Sequence, residues 1–442
     1  MLYYWRKKKR GEVRPWCAKQ GQADLTGKNG YTTQQILKRQ ERSKTVTTGK
    51  AIDGKPYAGN PHVRFGEGGV ASAAPRRGPL PCKTIMHGKF AMAALSASLA
   101  VAASAEEMFL APIFTDHMVF AAGKPMRVFG TGDGEVAVAF RGKTVKGESI
   151  YGKWCVTLPA AEAGGPFELV VEPANGRRRV LKDVAVGEVL VMAGQSNMQF
   201  KLGESTTDPK TWISDPMIRE FTTTRLEREE PYYAKDGWIA LDKSNAGKWS
   251  AIGYETAIRR ARSKGVPVGI INCYQGAAII QAFMPEELAR SPRLSVPGRY
   301  RSHFDEKEEY YSIWNKSGTL YRKQFGEIVP FSASAVVWYQ GEGNTGSVEE
   351  SGLYAEQMAA MIGQWRVDLG DAFLPFVVVQ IADFDMCRRQ EAWRAMQAAQ
   401  ARVPELCPFV KTVKSADICE SDKGIHPPTK WRIAERVAAA LE

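Results

Sequence analysis

Two patterns of apolar and polar positions divide the chain. From Glu106 to about Leu181 the runs are short and alternate with period two, as in HMVFAAG, MRVFGTG, GEVAVAFRG, GKWCVTLPA and FELVVEP. Gly, Asp, Asn or Pro break them every eight to twelve residues, which predicts a small antiparallel β-domain, sandwich- or barrel-like, over 106–183. From Val184 the pattern changes. Apolar strands at Val184–Ala193, Pro267–Cys273, Ser334–Tyr339, Pro375–Ile381 and Phe409–Val413 alternate with amphipathic helical runs at Ala251–Ser263, Val348–Asp368, Arg389–Arg402 and Thr429–Leu441. That alternation predicts an α/β domain over 184–442, with a mostly parallel sheet carrying helices on both faces. The stretches Asp208–Lys248 and Pro292–Tyr321 show no clear period and are rich in Trp, Tyr and charge, so they are expected as long loops.

The stretch around which the rest is organised is VAVGEVLVMAGQSNM, Val184 to Met198. Its aliphatic run reads as a strand buried on both faces and stopped by a tight turn at Gly194. Ser196 stands on that turn. In a parallel sheet the carboxyl ends of the strands open into a crevice, and the next helix points its amides there, which makes Ser196 a candidate nucleophile. Gln-Ser-Asn is also ordinary turn and cap chemistry, so the stretch alone leaves both readings open.

Charge first suggests, then removes, a nucleic-acid partner. The net charge is +12, but residues 1–85 hold 18 Lys/Arg against 5 Asp/Glu, a net +13, so residues 86–442 carry −1. A nearly neutral body has no electrostatic reason to bind phosphate backbones. After the basic leader, His87, Lys89, an apolar run Phe90–Ala103 and Ala103-Ser104-Ala105 follow the order of a signal peptide, charged region first and small-residue cleavage site last. The run is too short for a membrane span of roughly 20 residues. Residues 86–105 are therefore expected to direct export, with Met86 the true initiator and 1–85 a disordered or mistranslated extension. Beyond the cleavage site stand Cys155, Cys273, Cys387, Cys407 and Cys419, an odd number without a Cys-x-x-Cys pair, so neither metal nor cofactor is expected.

A serine nucleophile needs a base, a group orienting that base, and donors for an oxyanion. The exported part holds only His117, His303 and His426. His117 lies in the β-domain and His303 in a charged stretch. His426 sits in Asp422-Lys423-Gly424-Ile425-His426-Pro427-Pro428, between the last strand and the C-terminal helix, on the rim that carries Ser196. Asn272-Cys273-Tyr274-Gln275-Gly276 and Trp338-Tyr339-Gln340-Gly341-Glu342-Gly343-Asn344 end two further strands on that rim.

Gly194-Gln195-Ser196-Asn197-Met198, Trp338-Tyr339-Gln340-Gly341-Glu342-x-Asn344 and Ile425-His426-Pro427-Pro428-x-Lys430 resemble the signature blocks of the sialate O-acetylesterase family, a branch of the SGNH hydrolases with relatives among acetylxylan esterases. Asp116-His117-Met118-Val119-Phe120, Gly152-Lys153-Trp154 and Gly164-Gly165-Pro166-Phe167 are similar to the β-domain that precedes the esterase in bacterial members. The resemblance spans roughly Phe109 to the C-terminus. It implies an SGNH-hydrolase-like three-layer α/β/α fold and a secreted serine esterase that removes O-acetyl groups from carbohydrates, sialic acids foremost, through an acetyl-serine. Acetylated xylan is the alternative substrate, and a non-catalytic carbohydrate-binding protein the alternative of another class.

The resemblance further implies Ser196 as nucleophile and His426 as base. The Ser196 amide, Gly276 and the Gln340–Asn344 block, with Gln195, would form or support the oxyanion and substrate site. In the superfamily an Asp stands three residues before the histidine, where this chain has Lys423, so the orienting acid is left among Asp422, Glu342 and Asp417, with Asp422 preferred because it shares the loop with His426. Gln275-Gly276-Ala277 replaces the usual Gly-Gly-Thr and removes a side-chain donor near the acyl pocket.

Overall fold

In the computed structural model, which describes residues 107–227, 237–296 and 313–442, one long strand joins the two patterns. The extension 1–85, the signal-like segment 86–105, His303 and most of the second aromatic stretch lie outside the described residues. The first part contains β1 (Phe109–Leu110), β2 (Val119–Ala121), β3 (Met126–Thr131), β4 (Glu135–Phe140), β5 (Lys143–Glu148), β6 (Lys153–Leu158) and β7 (Gly164–Pro173). β1, β3 and β6 form a small antiparallel sheet, while β5, β4 and β7 are antiparallel neighbours in series. β8 (Arg179–Gly194) begins antiparallel to β7 and, from Glu188 onward, becomes the middle of the second sheet. A single element thus crosses the boundary between 183 and 184. The burial pattern explains how. From Val184 to Ala193 only Glu188 is charged, and the strand can lie between layers on both faces throughout.

The remaining strands are β9 (Asp215–Thr222), β10 (Ile239–Leu241), β11 (Val268–Tyr274), β12 (Ala335–Tyr339), β13 (Phe376–Val379) and β14 (Val410–Val413). The sheet order is β10-β9-β11-β8-β12-β13-β14, parallel throughout except for β10. The chain builds β9 and β11 on one side of β8, then crosses to build β12, β13 and β14 on the other. The crevice for a ligand therefore opens at the carboxyl ends of β8 and its neighbours. The fold class read from the sequence holds: a mixed α/β molecule with a large, mostly parallel sheet and helices, plus a small antiparallel sheet.

Five helices matter for the site: α1 (Ser196–Gln199), α2 (Ala251–Lys264), α3 (Tyr354–Asp368), α4 (Gln390–Leu406) and α5 (Lys430–Ala440). Successive side chains of a strand point to opposite faces. Trp338 of β12 meets Trp365 of α3, with ring centroids 5.9 Å apart, and Tyr339 meets the ammonium of Lys430 of α5 at 5.4 Å. α3 and α5 therefore cover opposite faces, giving three layers.

Several elements escaped the pattern, β10 among them. β9 falls within the stretch expected to be irregular, because its apolar rhythm is interrupted by Arg219 and Glu220. The Arg219 side chain is buried, donating to the carbonyl of His117 at 3.0 Å and pairing with Asp183 at 3.0 Å, so polar positions here dock the β-layer instead of facing water. β5, Lys143–Glu148, carries no buried residue and among the described strands pairs only with β4. Helix Val348–Asp368 is interrupted at Leu353, giving a short turn Val348–Gly352 before α3.

The buried charge in β8 has a partner in the helical layer. Glu188 receives both arms of Arg260 at 2.9 Å and Lys264 at 2.8 Å, and Arg260, fully buried, also donates to the carbonyl of Ala438. Burial raises the Glu188 pKa, but the hydrogen bonds and charges of Arg260 and Lys264 more than offset this, leaving it below the ordinary carboxylate value. The cluster fastens α2 to β8 and the end of α5.

Candidate functional site

The turn that carries Ser196 is shaped by close contact with β12. Gly194 has φ +137, and a Cβ there would lie 2.1 Å from the carbonyl oxygen of Tyr339, so only glycine fits. The Gln195 amide donates to that same carbonyl at 3.0 Å, and the Gln195 side-chain oxygen accepts from the Gly343 amide at 3.1 Å and the Gly341 amide at 3.4 Å. Helix α1 then starts at Ser196, and the Ser250 hydroxyl, which also caps α2 through the Gly253 amide, donates to the Met198 carbonyl at 2.6 Å.

His426 arrives from the loop after β14. Its Nε2 lies 2.7 Å from Ser196 Oγ, the distance of a nucleophile and its base. Burial, with the positive charge of Lys430 as the second cause, pushes its pKa down to about 4. The ring is therefore neutral at physiological pH and has an unprotonated nitrogen for the serine proton. Residues 196 and 426 meet because the loops after parallel strands emerge on one edge of the sheet.

Two backbone donors flank the serine. Among the described residues, no protein acceptor takes the amide of Ser196 or of Gly276. Beside Gly276 the side-chain oxygen of Gln199, a residue of α1, is buried without a hydrogen-bond partner among the described residues.

The other expected binding residues sit behind the surface. Gln340 and Asn344 are both fully buried. Gln340 donates to the carbonyl of Ala278 at 3.0 Å and to Asn344 Oδ1 at 2.9 Å, and Tyr354 donates to its side-chain oxygen at 2.6 Å. Asn344 accepts from the Ile280 amide at 3.0 Å and donates to Gln281 at 2.9 Å. With their amides engaged in protein contacts, Gln340, Asn344 and Gln195 shape the loops that present Ser196 and Gly276.

The carboxylates differ in place. Asp422 has a side chain 68% exposed, pairs with Lys423 at 3.5 Å and makes no hydrogen bond to His426. Asp417 makes a two-pronged pair with Arg436 at 2.7 Å. Glu342 is buried in the site, where its Oε1 accepts from Asn197 Nδ2 and its Oε2 has no hydrogen-bond partner among the described residues. Burial raises its pKa, against the Asn197 hydrogen bond and the Lys430 charge. Among the described residues, no group hydrogen bonds to His426 Nδ1. Loop-sharing kept Asp422 close in sequence, yet Lys423 and solvent draw its carboxylate outward.

Sequence reasoning gave no role to Lys430, although a signal existed. It stands at the start of a helix whose buried stripe is Lys430, Ile433, Ala434, Val437 and Ala438, a cation on an apolar face. Its Nζ donates to Asn197 Oδ1. Tyr354 and Gln400, which brace Gln340, were also unmarked. His117 pairs with Asp183 at 2.7 Å in the β-layer. All five cysteines of the described part are free, and among the described residues no group of three or more His, Cys, Asp or Glu could hold a metal. No described helix is long and apolar enough to cross a membrane.

Residues 186–441 match the family described as carbohydrate esterase, sialic acid-specific acetylesterase. The chain is 25% identical to the human sialate O-acetylesterase over 318 residues, covering 64% of this chain and 59% of that protein. The corresponding enzyme of Pongo abelii is 26% identical with the same coverage. The chain thus spans about three fifths of the length of these relatives. A carbohydrate acetylesterase from Xanthomonas citri shares the fold with a TM-score of 0.63 and 29% identity, covering 75% of this chain and 74% of its own. With the family match extending over more than half of the chain and containing Ser196, Gly276, Glu342 and His426, the chain belongs to the carbohydrate esterase family of sialic acid-specific acetylesterases.

Proposed function

We propose that the protein is an exported serine esterase that hydrolyses O-acetyl groups on carbohydrates, sialic acids foremost, through an acetyl-serine intermediate. The observation that carries this reading is the 2.7 Å approach of His426 Nε2 to Ser196 Oγ. His426 takes the hydroxyl proton as Oγ attacks the acetyl carbonyl carbon. The negative charge that develops on the carbonyl oxygen is stabilised by the free amides of Ser196 and Gly276, donors already oriented by α1 and the turn after β11. Collapse breaks the bond to the sugar oxygen, which takes the proton from His426. Water, deprotonated by the same ring, then attacks the acetyl-serine, and collapse releases acetate as Ser196 Oγ recovers its proton from His426.

Each part carries a share of the rate. A positioned base contributes about 10²–10⁴-fold, and one oxyanion donor about 10²–10³-fold. A neutral ring with an unusually low pKa is a base available over a wide pH range.

Acetate release from a panel of O-acetylated sialic acids and acetylated xylans tests the substrate assignment. Preference for the sialic acids is expected, and turnover of xylan alone would overturn it. N-terminal sequencing of exported protein tests the leader, with a start at or close to Glu106 expected.

A further inference from the structure

We propose that Asn197 and Lys430 are positioning residues, a buried amide–ammonium pair that holds the His426 loop on the Ser196 turn through the backbone of Ile425. The inference rests on Ser196 and His426 acting as nucleophile and base.

The side chains meet at one point. Asn197, 1% exposed, uses its Nδ2 to donate to the Ile425 carbonyl at 3.0 Å and to Glu342, while its Oδ1 accepts from Lys430 Nζ. Chemistry fixes this orientation. An ammonium can only donate and a backbone carbonyl can only accept, so a flipped amide would lose contacts on both sides. Three segments are thereby stapled by one side chain: the nucleophile turn that carries it, the loop after β12 through Glu342, and the residue preceding His426.

Lys430 is fully buried, which is costly unless it is compensated. The compensation is local. Its ammonium lies 4.9 Å from the Phe200 ring and 5.4 Å from the Tyr339 ring, cation–π distances, and among the described residues its one hydrogen-bond acceptor is Asn197. The charged or titratable groups acting on it are Cys419, Glu342 and Glu420, while Lys430 is the charge acting on His426. Burial pushes the Lys430 pKa down to about 8, so it is still mostly a cation at neutral pH.

The arrangement supplies what is otherwise missing. In a serine triad a carboxylate on the far ring nitrogen orients the imidazole. Here neither Asp422 nor Asp417 reaches the ring. Glu342 acts one step removed, on Asn197, and the orienting force reaches His426 through the peptide that precedes it. Because the charge facing the ring is positive, it disfavours the protonated imidazole at rest and keeps the base free.

Lys430→Met keeps length and apolar stem and removes the charge. Activity is measured per site, with sites counted by titration of Ser196 with a fluorophosphonate, so that unfolded protein does not enter the rate. The expected result is a kcat loss of roughly 10- to 100-fold, part of what a positioned base supplies, with KM changed less than about threefold. The acid limb of kcat/KM should also move upward, since removing the cation restores proton affinity to His426. A stability role alone would leave both kcat per site and the limb in place. If Lys430→Met does not fold, Asn197→Asp, nearly isosteric, keeps an acceptor for Lys430 but faces the Ile425 carbonyl and Glu342 with oxygen, and should lose at least about tenfold in kcat per site. Wild-type kcat per site in Lys430→Met, whether or not the acid limb moves, or in its place wild-type kcat in Asn197→Asp, would overturn the proposal while Ser196→Ala is inactive. An active Ser196→Ala would instead overturn the nucleophile assignment beneath it.

Discussion

Ser196 Oγ and His426 Nε2 lie 2.7 Å apart although 230 positions of sequence separate them. The contact joins the first turn after β8 to the last loop before α5, and it depends on both strands running in the same direction in one sheet. It also fixes what can be measured.

Ser196→Ala removes one hydroxyl from a turn whose backbone is held by Gly194, Gln195 and Ser250, none of which it touches. Turnover of an acetyl ester should fall by about 10⁴-fold or more, as when single members of other catalytic units are removed. Thermal unfolding should be unchanged within a few degrees. Activity within tenfold of wild type removes the serine from the mechanism.

The low pKa of His426 predicts a displaced pH profile. The base must be neutral, and with a value of about 4 its protonation should depress kcat/KM only as pH falls towards 4, not near 6.5. Stability follows the same group. Its folded pKa is depressed below the unfolded one, so the full stability is present above pH 6.5 and is lost as pH falls towards 4, by about 3 kcal/mol for a shift of this size. A kcat/KM profile with an inflection near 6.5 would refute the burial argument.

Asp422→Asn and Glu342→Gln separate the two carboxylates. Asp422 is exposed and touches Lys423, so its neutralisation should leave kcat within about threefold, in the range of an exposed ion pair. Glu342 is buried against Asn197, and its amide counterpart keeps an acceptor for Asn197 but loses the charge that faces Lys430 and leaves an NH2 at the buried, unpartnered Oε2 position, costing roughly tenfold or more in kcat. The reverse ranking would restore Asp422 as the orienting acid.

Glu188→Ala leaves Arg260 buried without its two-pronged partner. The expected cost is about 3–5 kcal/mol of stability, the range for breaking a buried ion pair from one side. Urea unfolding reads the loss, and kcat of the folded fraction should be unchanged, because the pair lies at the start of the parallel part of β8, away from the rim that carries Ser196.

Elements with strong periodicity were legible in the amino-acid sequence alone. The five strand runs, the four amphipathic runs and the Gly194 stop are local consequences of burial on both faces, burial on one face, and a positive φ. They place Ser196 and His426 on one rim, because parallel order forces loops of one kind to one edge. β9 was not legible, since Arg219 is buried by a partner far away in sequence, and no local period records that. The surroundings of His426 were legible only in part, with Glu342 among the candidate acids but its buried contact with Asn197 unmarked. Asp422, beside His426 in the chain, is turned outward, whereas Asn197, Glu342 and Lys430, from three distant segments, are pressed together behind it. Which polar side chain is buried, and against which partner, depends on desolvation in the assembled layers, and no local pattern records that.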